Sequence, residues 1–227
     1  STDVPDGFEA SQRGQAGGFV GEVDIMDTWA TSSLTPQLAG GWGGVDDELW
    51  DLVAPFDLRP QGQDIIRTWL FSTALRALFE GGRAPWRHTA ISGWILDPDR
   101  KKMSKSKGNV VTPLGMLEDH GSDGVRYWAA SSRLGVDATL DPQNPKMVKI
   151  GRRLAMKVLN AAKFVLSMEG APGEVTERLD REMLGELAQV VRTATRAFDA
   201  YDHAKALEVT ETFFWTFCDD YLELVKE

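Results

Sequence analysis

Cysteine is nearly absent: Cys218 is the only one in 227 residues, which excludes an internal disulfide and any cysteine-cluster metal site. Its aromatic neighbours Phe213, Phe214, Trp215 and Phe217 mark it as a core thiol. Histidine is scarce as well, and His88, His120 and His203 have no spacing that builds a metal site. No Ser/His/Asp or Cys/His arrangement stands out. No apolar run reaches the length of a membrane span, and the polar N-terminal segment lacks a signal-peptide pattern, so a soluble cytoplasmic protein is expected. Positive charge is also in deficit. Lys and Arg number 25 against 34 Asp and Glu, for a net charge of -9 and a pI near 4.9. That balance excludes a generic nucleic-acid coat protein, although an enzyme acting on nucleic acid needs only a local basic stripe.

What is present begins with 42% hydrophobic residues, enough for one sizeable core and a smaller second one. The first forty-odd residues are rich in Gly, Ser, Thr and Asp and read as loops around one short element. From Gly62 to Gly81 the residues Ile65, Ile66, Trp69, Leu70, Thr73, Leu75 and Leu78 recur at helical spacing, and Gly81-Gly82 supplies a stop. The run His88 to Leu96 suits a buried strand containing Gly93. A helix feeding a buried strand and then a charged loop, Asp97 to Asn109, points to a parallel α/β sheet.

The second half changes character. Residues 113–132 read as two helical pieces separated by Gly121. From Asn144 onward the pattern is helical, with Met147, Ile150, Leu154, Val158, Ala161 and Val165 forming one apolar stripe. Gly170-Ala171-Pro172-Gly173 breaks it; further helices are expected from Glu177 to Tyr201 and from His203 to the end. Three helices with short connections predict an antiparallel bundle, and its last segment is still apolar where the sequence stops.

Chemistry concentrates in Arg100-Lys101-Lys102-Met103-Ser104-Lys105-Ser106-Lys107-Gly108-Asn109. Between Arg87 and Lys107 six basic residues face two acids, a local balance of +4 in an acidic chain. Lysines interleaved with Ser, Met and Gly make a mobile loop of point charges and hydroxyl donors, suited to gripping a polyphosphate. By charge alone a solvated basic loop fits equally well.

The literal string Lys102-Met103-Ser104-Lys105-Ser106, followed by Lys107-Gly108-Asn109, resembles the second signature of the class I aminoacyl-tRNA synthetases. Extended from Asp97 through Pro113, it is similar to their valyl/isoleucyl/leucyl subgroup. Asp24 through Ser33 resembles the D-x-x-D-T-W-x-S-S stretch of the valyl branch, with Ala30-Thr31 a mild departure. Arg59 through Trp69 resembles the family's G-x-D-x-x-x-x-W helix start. The resemblance implies ATP with Mg2+, valine and tRNA(Val) as ligands. It implies catalytic roles for Lys105, Lys102 and Ser104, and ATP contacts at Lys105, Gly62, Asp64, Gly93 and Met103. Asp64 would face the ribose, and Trp29 and Ile65 would line the amino-acid pocket. Plainer readings stand beside these. Trp29 also suits a core, Asp64 a helix-dipole partner, and Gly93 a packing glycine in a strand.

A second basic stretch contains Lys146, Lys149, Arg152, Arg153, Lys157 and Lys163, with no acid between Asp141 and Glu169. Lys146, Lys149, Arg153 and Lys157 share a helical face, as tRNA phosphate contacts require; a solvated face paired with later acids such as Glu177 and Asp180 is the alternative. Residues 151–165 also resemble the first helix of the valyl-type anticodon-binding bundle. The family's other ATP signature, His-x-Gly-His, does not occur here, and neither does an inserted editing domain.

The fold expected is therefore α/β plus all-α: the second half of a Rossmann-type catalytic domain (1–112), connecting helices (113–145) and part of an anticodon-binding helical bundle (146–227). Such a piece lacks the remainder of its catalytic domain and is expected to be inactive by itself. A non-catalytic nucleotide- or tRNA-binding paralogue, or an isoleucyl- or leucyl-specific relative, are the alternatives.

Overall fold

The computed structural model describes residues 4–25, 27–170 and 173–226. Met26, inside the tryptophan-bearing stretch, and Ala171 and Pro172, inside the expected helix break, lie outside the described residues. Contacts divide the chain into two compact units, one drawn from residues 1–57 and 65–87, the other from 58–64 and 88–227.

The first unit is more helical than its composition suggests. Three short helices, α1 (Thr28–Ser32), α2 (Thr35–Gly40) and α3 (Asp47–Val53), occupy a segment expected to hold one. Each is too short for periodicity to register, and each is set by a local device. The Asp27 carboxylate accepts the Trp29 N–H at 2.8 Å, Pro36 opens α2, and the Asp46 carboxylate accepts the Leu49 N–H at 2.9 Å. Gly41 ends α2 at φ 74°, where a side chain would also press on Asp46.

The helix expected from Gly62 starts later. Gly62 closes strand β1 (Phe56–Gly62); a 3-10 turn at Gln63–Ile65 and a π turn at Ile66–Leu70 then lead into α4 (Phe71–Gly81). Gly82, at φ 68°, provides the stop anticipated there. Two side-chain bonds pin the end of α1 to this helix: Trp69 Nε1 donates to Ser32 O at 2.9 Å, and Arg76 Nε to Ser33 Oγ at 2.8 Å. Strand β2 (Trp86–Ser92) pairs with β1 in a two-stranded sheet.

The single strand expected from His88 to Leu96 is in fact broken. After Ser92 the chain leaves that sheet, and β3 (Ile95–Leu96) pairs in parallel with β4 (Ala138–Thr139), Ile95 opposite Ala138 and Leu96 opposite Thr139. Gly93 makes the crossing possible. A side chain there would overlap the backbone of Val136 and Asp137, and Trp94 N–H donates to Asp137 Oδ1 at 2.7 Å.

Helix α5 (Leu114–Ala130) carries the anticipated break, with Gly121 at φ 76°. It packs closely on α6 (Lys146–Leu166) through glycines: a Cβ on Gly124 would lie 2.7 Å from Val148 O, and one on Gly151 would run into the Tyr127 ring. The buried face of α6 is therefore Val148 and Gly151, one position along from the expected stripe, whose Met147, Val158 and Val165 remain exposed. Met116, Leu140 and Val148 form the buried core, with Met103, Val111, Val125 and Trp128 packed on it.

Helix α7 (Arg178–Asp199) packs against α8 (His203–Thr216), which continues through a π turn at Phe217–Tyr221 into Leu222–Val225. The principal pairs are thus α5 with α6 and α7 with α8, whereas the sequence pattern predicted three successive helices in one bundle. No helix among the described residues is long and apolar enough to cross a membrane.

Candidate functional site

The basic loop is rooted in β3. Leu96 forms an antiparallel bridge with Lys102, and a tight turn closes between them: Arg100 N–H donates to Asp97 O at 2.9 Å and Asp97 N–H to Lys101 O at 3.0 Å. Arg100 sits at φ 62° to make this turn. Met103 then points inwards, packing on the Met116–Leu140–Val148 core, with its Sδ 3.2 Å from the Val111 nitrogen. That plug turns its neighbours outward. Ser104 leads into a single 3-10 turn, Lys105–Lys107, ended by Gly108 at φ 65°. Lys105 and Lys107 are exposed and make no ion pair with any described residue.

All five expected ATP-binding positions lie in the unit that carries this loop, and the structure brings Gly62 and Asp64 together with Lys102. The Asp64 carboxylate folds towards Gly62, whose missing side chain leaves it room: a Cβ would stand 2.8 Å from Asp64 Oδ1. Lys102 Nζ lies 3.8 Å from Asp64 Oδ2 and 3.6 Å from the centre of the Trp94 ring. Both charged side chains are about half exposed, so this is a loose pair that a ligand could displace at little cost. Gln61, next to Gly62, is buried with its Oε1 unpartnered. The space beside Gly93 is taken by the chain's own backbone on its Cβ side, at Val136 and Asp137.

Trp29 and Ile65 belong to the other unit. Trp29 opens α1, Ile65 precedes the π turn on which α1 packs, and both side chains are half-buried.

The four basic positions of α6 divide into two pairs. Lys157 Nζ bonds Asp219 Oδ1 at 3.1 Å, which raises its pKa, and its charge also lies 6.0 Å from the centre of the Trp215 ring. Arg153 stacks 5.5 Å above the same ring. Trp215 Nε1 and Tyr127 OH both donate to Glu211, at 3.1 and 2.7 Å, and burial together with Glu211 lifts the Tyr127 hydroxyl to about 12. Lys146 and Lys149, by contrast, are exposed and form no ion pair among the described residues.

Sequence reasoning gave no role to Asp97 or Asn109. Asp97 is only 6% exposed; its Oδ1 accepts the Lys101 N–H at 2.8 Å and its Oδ2 accepts Asn109 Nδ2 at 2.7 Å. These donors, first the Lys101 backbone and then Asn109, hold the Asp97 carboxyl below the usual range. The available signal was an Asp and an Asn at the two ends of one polar loop. Among the described residues no group of three or more His, Cys, Asp or Glu could hold a metal.

Comparison with known proteins gives this geometry a family context. The family model described as tRNA synthetases class I (I, L, M and V) matches residues 3–141, more than half of the chain, and that of the anticodon-binding domain of tRNA ligase matches 180–227. A valine--tRNA ligase of Leifsonia xyli subsp. xyli is 69% identical, and one of Thermobifida fusca 65%, each over 100% of this chain. The chain spans only 27% and 26% of their lengths. Among solved structures, a leucyl-tRNA synthetase of Agrobacterium radiobacter K84 superposes with TM-score 0.72 at 20% identity, covering 88% of this chain and 27% of that one, a likeness of fold alone. Mycobacterium tuberculosis methionyl-tRNA synthetase bound by methionyl-adenylate gives TM-score 0.70 at 26% identity, covering 86% of this chain and 39% of that one. The architecture is a partial Rossmann-like domain followed by a helical region of the anticodon-binding type.

Proposed function

The chain belongs to the class I tRNA synthetases, and on that premise we propose that it is a segment of a valine–tRNA ligase. The parent reaction joins valine to ATP, taken as its Mg2+ complex, to give valyl-adenylate and pyrophosphate. It then transfers the valyl group to the terminal ribose of tRNA(Val) in the cytoplasm. One observation carries the reading: the basic loop is plugged into the core by Met103 yet leaves Lys105 exposed on a one-turn tip. As the valine carboxylate attacks the α-phosphorus, charge builds on the departing pyrophosphate. Lys105 stabilises that charge, supported by Lys102 and the Ser104 hydroxyl, and no covalent enzyme intermediate is needed.

The remaining roles follow from position. Asp64, freed from Lys102, takes the ribose hydroxyls beside Gly62. Gly93 and the backbone of Met103, whose side chain is packed on the core, border the nucleotide, and Trp29 with Ile65 form the valine pocket. Lys146, Lys149, Arg153 and Lys157 lie on the face assigned to tRNA phosphates, with Lys146 and Lys149 making no ion pair among the described residues and Arg153 and Lys157 held by Trp215 and Asp219. The domain division 1–112, 113–145 and 146–227 assigns these roles to a catalytic half-domain, connecting helices and part of the anticodon bundle. Valine is favoured over isoleucine or leucine by the identity of 54–69% to valine ligases. With the rest of the catalytic domain as its partner, this segment by itself has little or no activity.

Valine-dependent exchange of pyrophosphate into ATP by the full-length protein tests the reading. Exchange is expected with valine and far less with isoleucine or leucine. Exchange at a near-normal rate by the 227-residue segment, or none by the full-length protein, overturns it.

A further inference from the structure

The Lys105 side chain makes no ion pair among the described residues, so its aim depends on the stems of its loop. Those stems are joined through the side chains of Asp97 and Asn109. Asp97 ties itself to the Lys101 N–H at 2.8 Å and to Asn109 Nδ2 at 2.7 Å. Asn109 completes the circuit, its Oδ1 accepting the Ser104 N–H at 3.0 Å and its Nδ2 lying 3.3 Å from Lys102 O. Two side chains therefore hold the backbone on both sides of Met103 and join it to the far end of the loop.

We propose that Asp97 and Asn109 are positioning residues for adenylate formation: their latch immobilises the loop from Asp97 to Ser104 and confines its motion to the tip, Lys105 to Gly108. The proposal deepens the ligase reading and rests on it for its kinetic arm. A loop closed at Ser104 and Asn109 leaves four tip residues free, and fewer free residues mean less conformational entropy lost when Lys105 meets the polyphosphate. Without the latch the whole stretch from Asp97 to Asn109 must be ordered by the ligand.

The chemistry of the pair supplies the test. In Asp97→Asn a new amide meets two donors, the Lys101 N–H and the Asn109 amide, and can accept only one. In Asn109→Asp two carboxylates face each other. The double exchange Asp97→Asn with Asn109→Asp restores the two short contacts: the amide now at 97 donates to the carboxylate at 109, which still accepts the Ser104 N–H, and only the long 3.3 Å contact to Lys102 O is lost. Asn109→Ser, too short to bridge Asp97 and Ser104, opens the latch without adding charge and guards against misfolding of the charged variant.

In the full-length protein each single change is expected to lower kcat for valine-dependent exchange about ten- to a hundred-fold and to raise KM for ATP, with KM for valine little changed. The double exchange should return to within about threefold of wild type, the recovery that a coupled pair gives and independent sites do not. Trypsin offers a readout independent of the reaction: without ATP, cleavage after Lys101 and Lys102, inside the latched stretch, should speed up in the single variants and return towards wild type in the double, while cleavage after Lys105 and Lys107 in the tip changes little. Single variants with wild-type kinetics and cleavage, or a double no better than the product of the singles, overturn the proposal. A wild-type protein without valine-dependent exchange sinks the ligase reading instead, and the cleavage pattern then decides the latch by itself.

Discussion

Two basic segments, the loop Lys101–Lys107 and the helix α6, meet opposite fates. In the loop, Met103 sinks into the core and leaves Lys105 and Lys107 free of ion pairs among the described residues. In the helix, the inner positions are absorbed by packing: Arg153 stacks on Trp215, Lys157 bonds Asp219, and Arg152 donates to His120 O at 2.8 Å. The difference teaches that a run of like charge has no function by itself. A loop can hide its apolar residue and present its charges. On α6, a helix packed on one side, cations nearest the seam are drawn to neighbouring acids and rings, and among the described residues Lys146, Lys149 and Lys163 make no ion pair.

The comparison breaks most sharply at Lys105. Lys105→Ala in the full-length protein should slow adenylate formation about 100- to 1000-fold, as loss of one transition-state donor does, while KM for valine changes less than about threefold. Pre-steady-state exchange kinetics read this directly, and equal effects on both parameters would remove Lys105 from the chemistry.

A structural contrast comes next. Gly151→Val forces a branched side chain into the Tyr127 ring across the α5–α6 seam. It should lower stability by about 1–3 kcal/mol or more, seen as a drop in Tm. An unchanged Tm would mean that the two helices do not approach as closely as described.

Within α6, Lys149→Ala should weaken tRNA binding several-fold and reduce the salt dependence of log Kd by about one unit of slope. Lys157→Ala should weaken it less, because Asp219 already neutralises that charge. Reversal of this order in a filter-binding series would reassign the tRNA face.

The smallest effect lies in the hydroxyl beside Trp215. Tyr127 is held near 12 in the folded chain, against about 10 for a free tyrosine. A raised folded pKa favours the protonated form, so its contribution to stability is full below about pH 10 and lost as pH rises towards 12. The ultraviolet difference titration of wild type against Tyr127→Phe should show one late-ionising tyrosine; an ordinary midpoint would mean that the Glu211 contact is not made.

Much of the candidate site was legible because signatures are local. The string from Lys102 to Asn109 marked the loop, Gly121 the break in α5, and Gly82 the end of α4. Short helices near the N-terminus escaped notice, since five to seven residues carry no periodicity. The continuous strand expected through Gly93 failed for a different reason. Its apolar run is the same whether the residues pair with one sheet or two, and the switch is made by Val136 and Asp137, more than forty residues away.

The sequence by itself determined the family, the basic loop and the helical character of the second half, because these depend on residue types at short spacing. Only the tertiary structure decided which charges are free. It set Lys102 over Trp94 beside Asp64, spent Lys157 on Asp219, and closed Asp97 on Asn109. Those outcomes depend on which distant side chain arrives within about 3–4 Å, the range over which a hydrogen bond or ion pair acts, and no local pattern encodes that meeting.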